Sequence, residues 1–215
     1  YRKDYFLPKD YWSFGLGLLA LSTISFLDDI LDLSSKLRLL FHFVAVTLLI
    51  YFLGLFTSAS SWFIPLVYIF VIGVLNAYNF MDGINGIASI EAITTVFSIG
   101  IIYWGLNTEL MYQPLLLLAV SVFGFMLWNF PKAKIFMGDA GSGFLGLILG
   151  IFALIALKYS AALFCAWIIC LGVFIVDATF TLIRRVLNGQ KMYDAHRSHA
   201  YQHAAQKYKG HTVTS

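Results

Sequence analysis

Four groups of polar residues interrupt an otherwise apolar sequence, and each has the residue types of a phosphate or metal site. The first is the adjacent pair Asp28-Asp29, which Lys36 and Arg38 follow. Neighbouring carboxylates repel each other and are costly to desolvate at a membrane helix end, so they need a cation, a proton or water beside them. A magnesium ion would meet that need. An ordinary solvated helix terminus explains the same residues equally well.

The second group runs from Asn76 through Asn79 to Asp82 and ends in Gly83. Residues three apart lie on neighbouring positions of one helix face. The three polar side chains are therefore predicted to meet at one helix end, where the glycine lets the chain turn. Asparagines that only hydrogen-bond between membrane helices are the alternative.

The third group combines Asn129 with a small-residue segment that reads Gly138-Asp139-Ala140-Gly141-Ser142. Small residues just before a helix leave backbone N–H groups free to face an anion, and the helix dipole adds to the attraction. A carboxylate beside those amides would let a phosphate and its metal share one site. Oxygen ligands favour magnesium over zinc. A glycine-rich turn capped by Asp139 is the alternative.

The fourth group lies at and beyond the end of the last apolar run and combines acidic, cationic and imidazole side chains. Its members are Asp177, Arg184, Arg185, His196, Arg197 and His199. Arginine and histidine donors suit phosphate oxygens. The spacing of the histidines also resembles helical zinc ligation, which the oxygen ligands of the other groups disfavour. A basic tail on anionic lipid headgroups is the alternative.

Apolar runs of helical length connect these groups. The chain of 215 residues is 60% apolar and 12% charged, with a mean hydropathy of +0.82, whereas a soluble domain carries roughly 25% charged residues. A polytopic all-α membrane protein is predicted, because the runs lack the strict alternation of a membrane barrel. The seven predicted spans are residues 11–27, 39–56, 62–80, 87–106, 114–130, 144–157 and 161–183.

Seven alternating spans place all four polar groups on one side of the membrane. Most of the 14 lysines and arginines fall on that side, so the positive-inside rule predicts that it is cytoplasmic. We therefore predict a transmembrane catalytic domain at residues 1–183 and a cytoplasmic basic tail at residues 184–215. Because the chain begins with Tyr1 and has no signal-peptide pattern, a fragment is expected.

In this order and on one side, the four groups resemble the polyprenyl-phosphate N-acetylhexosamine-1-phosphate transferase family, glycosyltransferase family 4. Its relatives include the phospho-MurNAc-pentapeptide translocase of peptidoglycan synthesis. The likeness covers the chain from Asp28 to His203. It implies a phosphotransferase that moves a sugar 1-phosphate from a UDP-sugar to undecaprenyl phosphate, releases UMP and uses Mg²⁺, with Mn²⁺ as a substitute. The implied partners are the UDP-sugar, the polyprenyl phosphate and the bilayer of the bacterial inner membrane. A homodimer is kept as an option, and no nucleic acid is expected.

The resemblance also implies roles for single residues. Asp139 matches the magnesium ligand, Asp82 matches an acid near the nucleotide that is also taken as a metal ligand, and Asp28 and Asp29 match the pair at the lipid phosphate. These four are the predicted catalytic residues. The predicted substrate-binding residues are Asn76, Asn79, Asn129, Lys36, Arg38, Arg184, Arg185, His196, Arg197 and His199.

Two features depart from the family pattern. The peptidoglycan branch carries consecutive histidines, whereas this chain reads His196-Arg197-Ser198-His199, which favours the surface-polysaccharide or O-antigen branch. Family members also have more helices than the seven predicted here. The rival interpretations are the peptidoglycan translocase, a CDP-alcohol phosphotransferase, whose motif the residues after Asp82 do not follow, and a transporter with acids near the membrane midplane. The donor sugar stays open.

Overall fold

A computed structural model describes most of the chain as α-helices and turns. The described residues are 15, 18–20, 22–23, 25–27, 30–31, 34–52, 54, 61–106, 109–190 and 199–207. No strand occurs among them. The predicted all-α class is therefore confirmed.

Eight helices longer than one turn follow one another in the part of the chain from residue 34 onward that is described. They are α1 (Ser35–Phe52), α2 (Ile64–Met81), α3 (Ile87–Gly105), α4 (Glu109–Asn129), α5 (Gly138–Tyr159), α6 (Ala161–Cys170), α7 (Gly172–Leu187) and α8 (Ala200–Lys207). A 3₁₀ turn at Ser61–Phe63 precedes α2. The apolar stretch Leu18–Leu27 is helical where it is described.

Local sequence explains several of the helix boundaries. Gly86 has a left-handed backbone with φ of 81° and directly precedes α3. Ser160 separates α5 from α6 in an extended conformation, and its hydroxyl accepts the N–H of Ala162 at 3.1 Å. That bond is a helix N-cap, which satisfies one of the N–H groups left over in the first turn.

Four helices among the described residues are long and apolar enough to cross a bilayer. They are Ile64–Met81, Ile87–Gly105, Tyr112–Asn129 and Gly138–Tyr159. The pair α6 and α7 makes a fifth span if it is counted as one broken helix, since the two axes differ by 70°. The chain is therefore a multi-pass membrane protein, with four or five spans in the described part instead of the seven predicted.

The lower number of spans has particular causes. Eight of the 17 residues of the predicted first span, residues 11–27, lie outside the described part of the chain. The second corresponds to α1, whose first turn carries Lys36 and Arg38, so its apolar part is shorter than the roughly 20 residues of a perpendicular span. The last predicted span, residues 161–183, is broken at Leu171, whose ψ of 1° ends α6. The predicted boundary at residue 184 falls within α7, and the domain division stays a prediction.

The chain divides into two compact units. Unit 1 comprises Tyr1–Asn76 with Gly138–Gly150, and unit 2 comprises Ala77–Met137 with Ile151–Ser215. In unit 1, the hydroxyl of Tyr68 on α2 donates to Thr47 Oγ1 on α1 at 2.8 Å. A Cβ built at Gly150 on α5 would lie 3.7 Å from the Val71 backbone. This small residue lets α2 and α5 approach closely, as small residues do between membrane helices.

In unit 2, α3 packs along α4 and against α6. Trp167 on α6 donates its indole N–H to the Tyr103 hydroxyl on α3 at 3.1 Å. Further along α3, the Thr95 hydroxyl donates to the Cys170 carbonyl at 3.3 Å. These two bonds fix α6 on α3 up to the residue where the chain bends into α7. The interface satisfies polar groups that would otherwise be unpaired in an apolar medium.

Candidate active site

Two groups of residues, one in each unit, hold the two aspartates of the predicted site that the structure describes. The Asp139 cluster, in unit 1, consists of Arg38, His42 and Asp139. The Asp82 turn, in unit 2, consists of residues 82–86. The C-terminal segment, residues 199–207, also belongs to unit 2. Each group is described within its own unit.

The Asp139 cluster is built from the first turns of α1 and α5. Arg38 Nη1 lies 3.0 Å from Asp139 Oδ2, and the two side chains are 32% and 31% exposed. Asp139 stands in the first turn of α5, whose Gly138 has a left-handed backbone with φ of 64°. The helix N-terminus and the guanidinium both attract negative charge to this point.

His42 follows Arg38 by one helix turn and is 4% exposed. Among the described residues, no group hydrogen-bonds its Nδ1. Side chains four apart share a helix face, so the imidazole lies on the same side of α1 as the guanidinium.

The Asp82 turn begins where α2 ends, at Met81. The Asp82 N–H still bonds to the Tyr78 carbonyl at 3.1 Å, and the Gly83 N–H bonds to the Met81 carbonyl at 2.9 Å. The chain then reverses into α3 through Gly86, whose φ is 81°. A Cβ at Gly86 would approach the ring of Phe130 to 2.7 Å. A side chain at position 86 is therefore excluded twice, by conformation and by space.

Asn129 and Asn85 fasten this turn to the chain after α4. Asn129 is 5% exposed; its Oδ1 accepts the Gly86 N–H at 2.6 Å, and its Nδ2 donates to the Ile135 carbonyl at 2.9 Å. Asn85 Nδ2 donates to the Pro131 carbonyl at 3.0 Å. Both ends of the Asn129 amide are thus used within the protein. Its predicted contact with substrate stays a prediction.

Asp177 joins α7 to the start of α8. Both of its carboxylate oxygens accept the Ala200 N–H at 3.1 Å, and Oδ1 also accepts the Thr181 hydroxyl at 3.2 Å. A carboxylate at a helix N-terminus satisfies an otherwise unpaired N–H and is favoured by the helix dipole. The sequence placed Asp177 in the fourth polar group, and in the structure its oxygens cap the start of α8.

His199 is 2% exposed and precedes α8. Burial lowers its pKa; the nearby Asp177 carboxylate acts in the opposite direction, and Arg185 again lowers the pKa. His199 Nδ1 and Asp177 Oδ1 are 3.7 Å apart, which is too long for an ordinary hydrogen bond. Burial thus favours the neutral form of the imidazole ring. The ring stacks between the rings of Phe80 and Tyr201, with centroid distances of 6.2 and 5.8 Å.

Tyr201 connects the C-terminal segment to the end of α2. Its hydroxyl donates to the Phe80 carbonyl at 3.0 Å and accepts from Gln202 Nε2 at 3.1 Å. Burial raises the pKa of Tyr201 to about 12; the hydrogen bond from Gln202 opposes this change, and the negative charges of Asp82 and Asp177 add to it. The phenol is therefore protonated at physiological pH and able to donate.

The remaining predicted residues have varied positions. Asn76 on α2 donates to the Ile72 carbonyl at 2.9 Å, and Asn79 is half-buried on the same helix. Lys36 and Arg184 are exposed, whereas Arg185 is 5% exposed. Four residues lie outside the described part of the chain: Asp28, Asp29, His196 and Arg197. The predicted placement of the four polar groups on one side of the membrane stays a prediction.

Tyr201 and Gln202 also belong to this region, although neither was among the predicted site residues. The sequence offered one indication of their role, which is their position directly after His199 on a short helix. The contact itself gave no signal, because Tyr201 and Phe80 are separated by 121 residues.

The donor chemistry of the site suits a hard cation. Asp139 and Asp82 offer carboxylate oxygens, the ligand type that Mg²⁺ prefers, and Asp139 is accessible to solvent. Within the described residues, no three His, Cys, Asp or Glu side chains come together as a metal site.

Comparison with known proteins places the chain. The model of glycosyl transferase family 4 matches residues 11–157, a range that holds both the Asp82 turn and Asp139. The chain belongs to glycosyl transferase family 4. The family resemblance seen in the polar motifs is thereby confirmed. The matched range ends before α7, so the C-terminal segment is interpreted from its geometry alone.

Curated relatives agree with this family. A protein of Bacillus subtilis named as a probable undecaprenyl-phosphate N-acetylglucosaminyl 1-phosphate transferase is 34% identical over 200 residues, 86% of this chain and 56% of the relative. A phospho-N-acetylmuramoyl-pentapeptide-transferase of Petrotoga mobilis is 30% identical over 184 residues, 74% of this chain and 56% of the relative. A decaprenyl-phosphate N-acetylglucosaminephosphotransferase of Mycolicibacterium smegmatis is 40% identical over 87 residues. The chain spans little more than half the length of the first two relatives.

Proposed function

We propose that this protein transfers an N-acetylhexosamine 1-phosphate from a UDP-sugar to undecaprenyl phosphate and releases UMP. The observation that carries the proposal is the family 4 match, which spans the Asp82 turn and Asp139. The name of the 34% identical relative supplies the acceptor lipid and the type of sugar. The product would start the synthesis of a surface polysaccharide or O-antigen.

The reaction replaces one phosphoanhydride bond of the sugar phosphate with another. An oxygen of the lipid phosphate attacks the phosphorus that carries the sugar, a new P–O–P bond forms, and the bond from that phosphorus to the bridging oxygen of UDP breaks. UMP leaves with that oxygen. A phosphate monoester is largely ionised near neutral pH, so the attack does not depend on a protein base. The proposed roles of Asp28 and Asp29 are therefore to position the lipid phosphate.

The described residues of the Asp139 cluster provide charge and direction for this transfer. Arg38 offers a guanidinium whose planar donors match phosphate oxygens, and it lies 3.0 Å from Asp139. The first turn of α5 adds outward-facing N–H groups. Asp139 and Asp82 are the proposed ligands of Mg²⁺, with Mn²⁺ as a substitute. When bound, the ion supplies neutralisation of the diphosphate charge.

Membrane placement supports the same proposal. The apolar helices hold the chain in the bilayer, from which a polyprenyl chain must approach, and the basic side of the sequence is proposed to face the cytoplasm, where nucleotide sugars are found. We place the protein in the bacterial inner membrane with a cytoplasmic active site. A homodimer stays an option.

The test is release of UMP by the purified protein in lipid nanodiscs, with UDP-N-acetylglucosamine as donor and undecaprenyl phosphate added or omitted. Release that requires the lipid supports the proposal, and loss with EDTA that Mg²⁺ reverses supports the metal assignment. A preference for UDP-MurNAc-pentapeptide would move the protein to the peptidoglycan branch. Absence of UMP with every donor of a panel would overturn the proposal, and substrate uptake by proteoliposomes would then favour the transporter.

A further inference from the structure

The start of α8 is hydrogen-bonded to α7. The Ala200 N–H donates to both oxygens of Asp177 at 3.1 Å, although the two residues are 23 positions apart. The backbone N–H of His199 donates to Gln202 Oε1 at 3.1 Å, which closes the first turn. Tyr201 directly follows Ala200, so these hydrogen bonds hold the backbone next to it.

Tyr201 contacts the chain on both sides of Asp82. On one side, its hydroxyl donates to the carbonyl of Phe80 at 3.0 Å. Carbonyls in the last turn of a helix have no intrahelical partner, so this bond satisfies one of them. On the other side, its ring lies against Gly83, where an added Cβ would be 2.9 Å from Cζ of the tyrosine. With the ring 6% exposed, the contact is a packed one.

We infer that Tyr201 is a positioning residue for Asp82: its hydroxyl and ring hold residues 80 and 83 and thereby fix the direction of the carboxylate between them. Asp177 contributes indirectly by holding α8 in place. We call the hydrogen bond from Tyr201 to Phe80, together with the packing of its ring on Gly83, the tie. The inference rests on the proposed function only for the catalytic task of Asp82, because the tie itself is a property of the fold.

The substitution Tyr201→Phe tests the tie, because it removes the hydroxyl and keeps the ring against Gly83. Tyr103→Phe is the matched control, since it also removes a phenol hydroxyl with a 3.1 Å hydrogen bond in unit 2, at the other end of α3. Hydrogen exchange of the Asp82 and Gly83 amides is measured in nanodiscs for both variants and the wild type. We expect Tyr201→Phe to raise exchange of these amides about fivefold, the effect of one lost hydrogen bond, and Tyr103→Phe to leave it unchanged.

Turnover gives the second readout. We expect Tyr201→Phe to lower kcat of UMP release about fivefold or more, with little change in the KM for undecaprenyl phosphate, and Asp177→Asn to act in the same direction. Unchanged exchange in Tyr201→Phe overturns the tie, whatever the activity. Increased exchange with wild-type kcat overturns the positioning role. If Tyr201→Phe increases exchange but the wild-type protein itself releases no UMP, the tie stands and the proposed function is refuted instead.

Discussion

Substitution of Arg38, which forms an ion pair with Asp139, can distinguish a structural role from a catalytic one, because the expected losses of stability and of activity differ greatly in size. The two side chains are about one-third exposed and 3.0 Å apart. An ion pair this accessible contributes only about 0–1 kcal/mol to stability, because water and salt screen it. Removing the guanidinium in Arg38→Gln should therefore lower Tm by no more than about 2–4 °C in a chain of this size.

A functional guanidinium would have a far larger effect on the reaction. Fixed donors that stabilise charge in a transition state are worth about 100-fold to 1000-fold in kcat. We predict that Arg38→Gln lowers kcat/KM for UMP release by about 100-fold, which corresponds to about 2.7 kcal/mol. That loss exceeds what the ion pair can contribute to folding, so the two readouts cannot be confused.

The assay compares Arg38→Gln, Arg38→Lys and Lys158→Gln in nanodiscs, with kcat/KM and Tm measured on the same samples. Lys158 is an exposed cation in the last turn of α5, so it controls for loss of one positive charge. Arg38→Lys keeps the charge but lacks the planar fork, and we expect an intermediate loss. Activity of Arg38→Gln within fivefold of the wild type would refute the reasoning and leave Arg38 as a surface ion pair.

Three further predictions concern the other parts of the site. Gly83→Ala should strongly lower kcat because its Cβ would overlap the ring of Tyr201, at a cost of about 1–3 kcal/mol; adding Tyr201→Ala should remove the clash, and Gly100→Ala, with open space around it, is the neutral control. Burial lowers the pKa of His199, so its contribution to stability should be complete above pH 6.5 and decline as pH falls below it, which a pH series of Tm measures. Asp139→Asn should abolish UMP release with a Tm close to wild type.

Each of these predictions has a contrary outcome. Wild-type activity of Gly83→Ala would show that the ring of Tyr201 does not press on the Asp82 turn. A Tm profile of His199→Asn with the same acid decline as the wild type would assign the decline to another group. Turnover of Asp139→Asn near the wild-type rate at saturating Mg²⁺ would remove Asp139 from the site.

Local patterns predicted the parts of the site that depend on neighbours in sequence. The end of α2 before Asp82 lies where the sequence placed it, because glycine acts on the adjacent backbone, whereas α5 begins at Gly138, six residues before the predicted start of that span at residue 144. The break between α6 and α7 was missed, since an apolar run that contains Gly172 reads the same whether the helix continues or bends by 70°.

Contacts between distant residues could not be predicted in the same way. Asn129 bonds to Gly86, 43 residues away, and the sequence shows only an asparagine at a helix end. The same holds for Tyr201 and Phe80, 121 residues apart. Without knowledge of which helix ends meet, a polar residue that supports a turn cannot be told from one that binds a substrate.

Asp177 and Asp139 contact different kinds of group, and this difference predicts how the loss of each carboxylate would act. Both oxygens of Asp177 accept the Ala200 N–H, and one also accepts the Thr181 hydroxyl, so moving Asp177 toward a ligand would release the start of α8. Asp139, in contrast, forms a partly exposed ion pair with the side chain of Arg38. The guanidinium of Arg38 could donate to a phosphate instead without breaking a helix. Loss of Asp177 should therefore act through the position of Tyr201, whereas loss of Asp139 should act on the reaction itself.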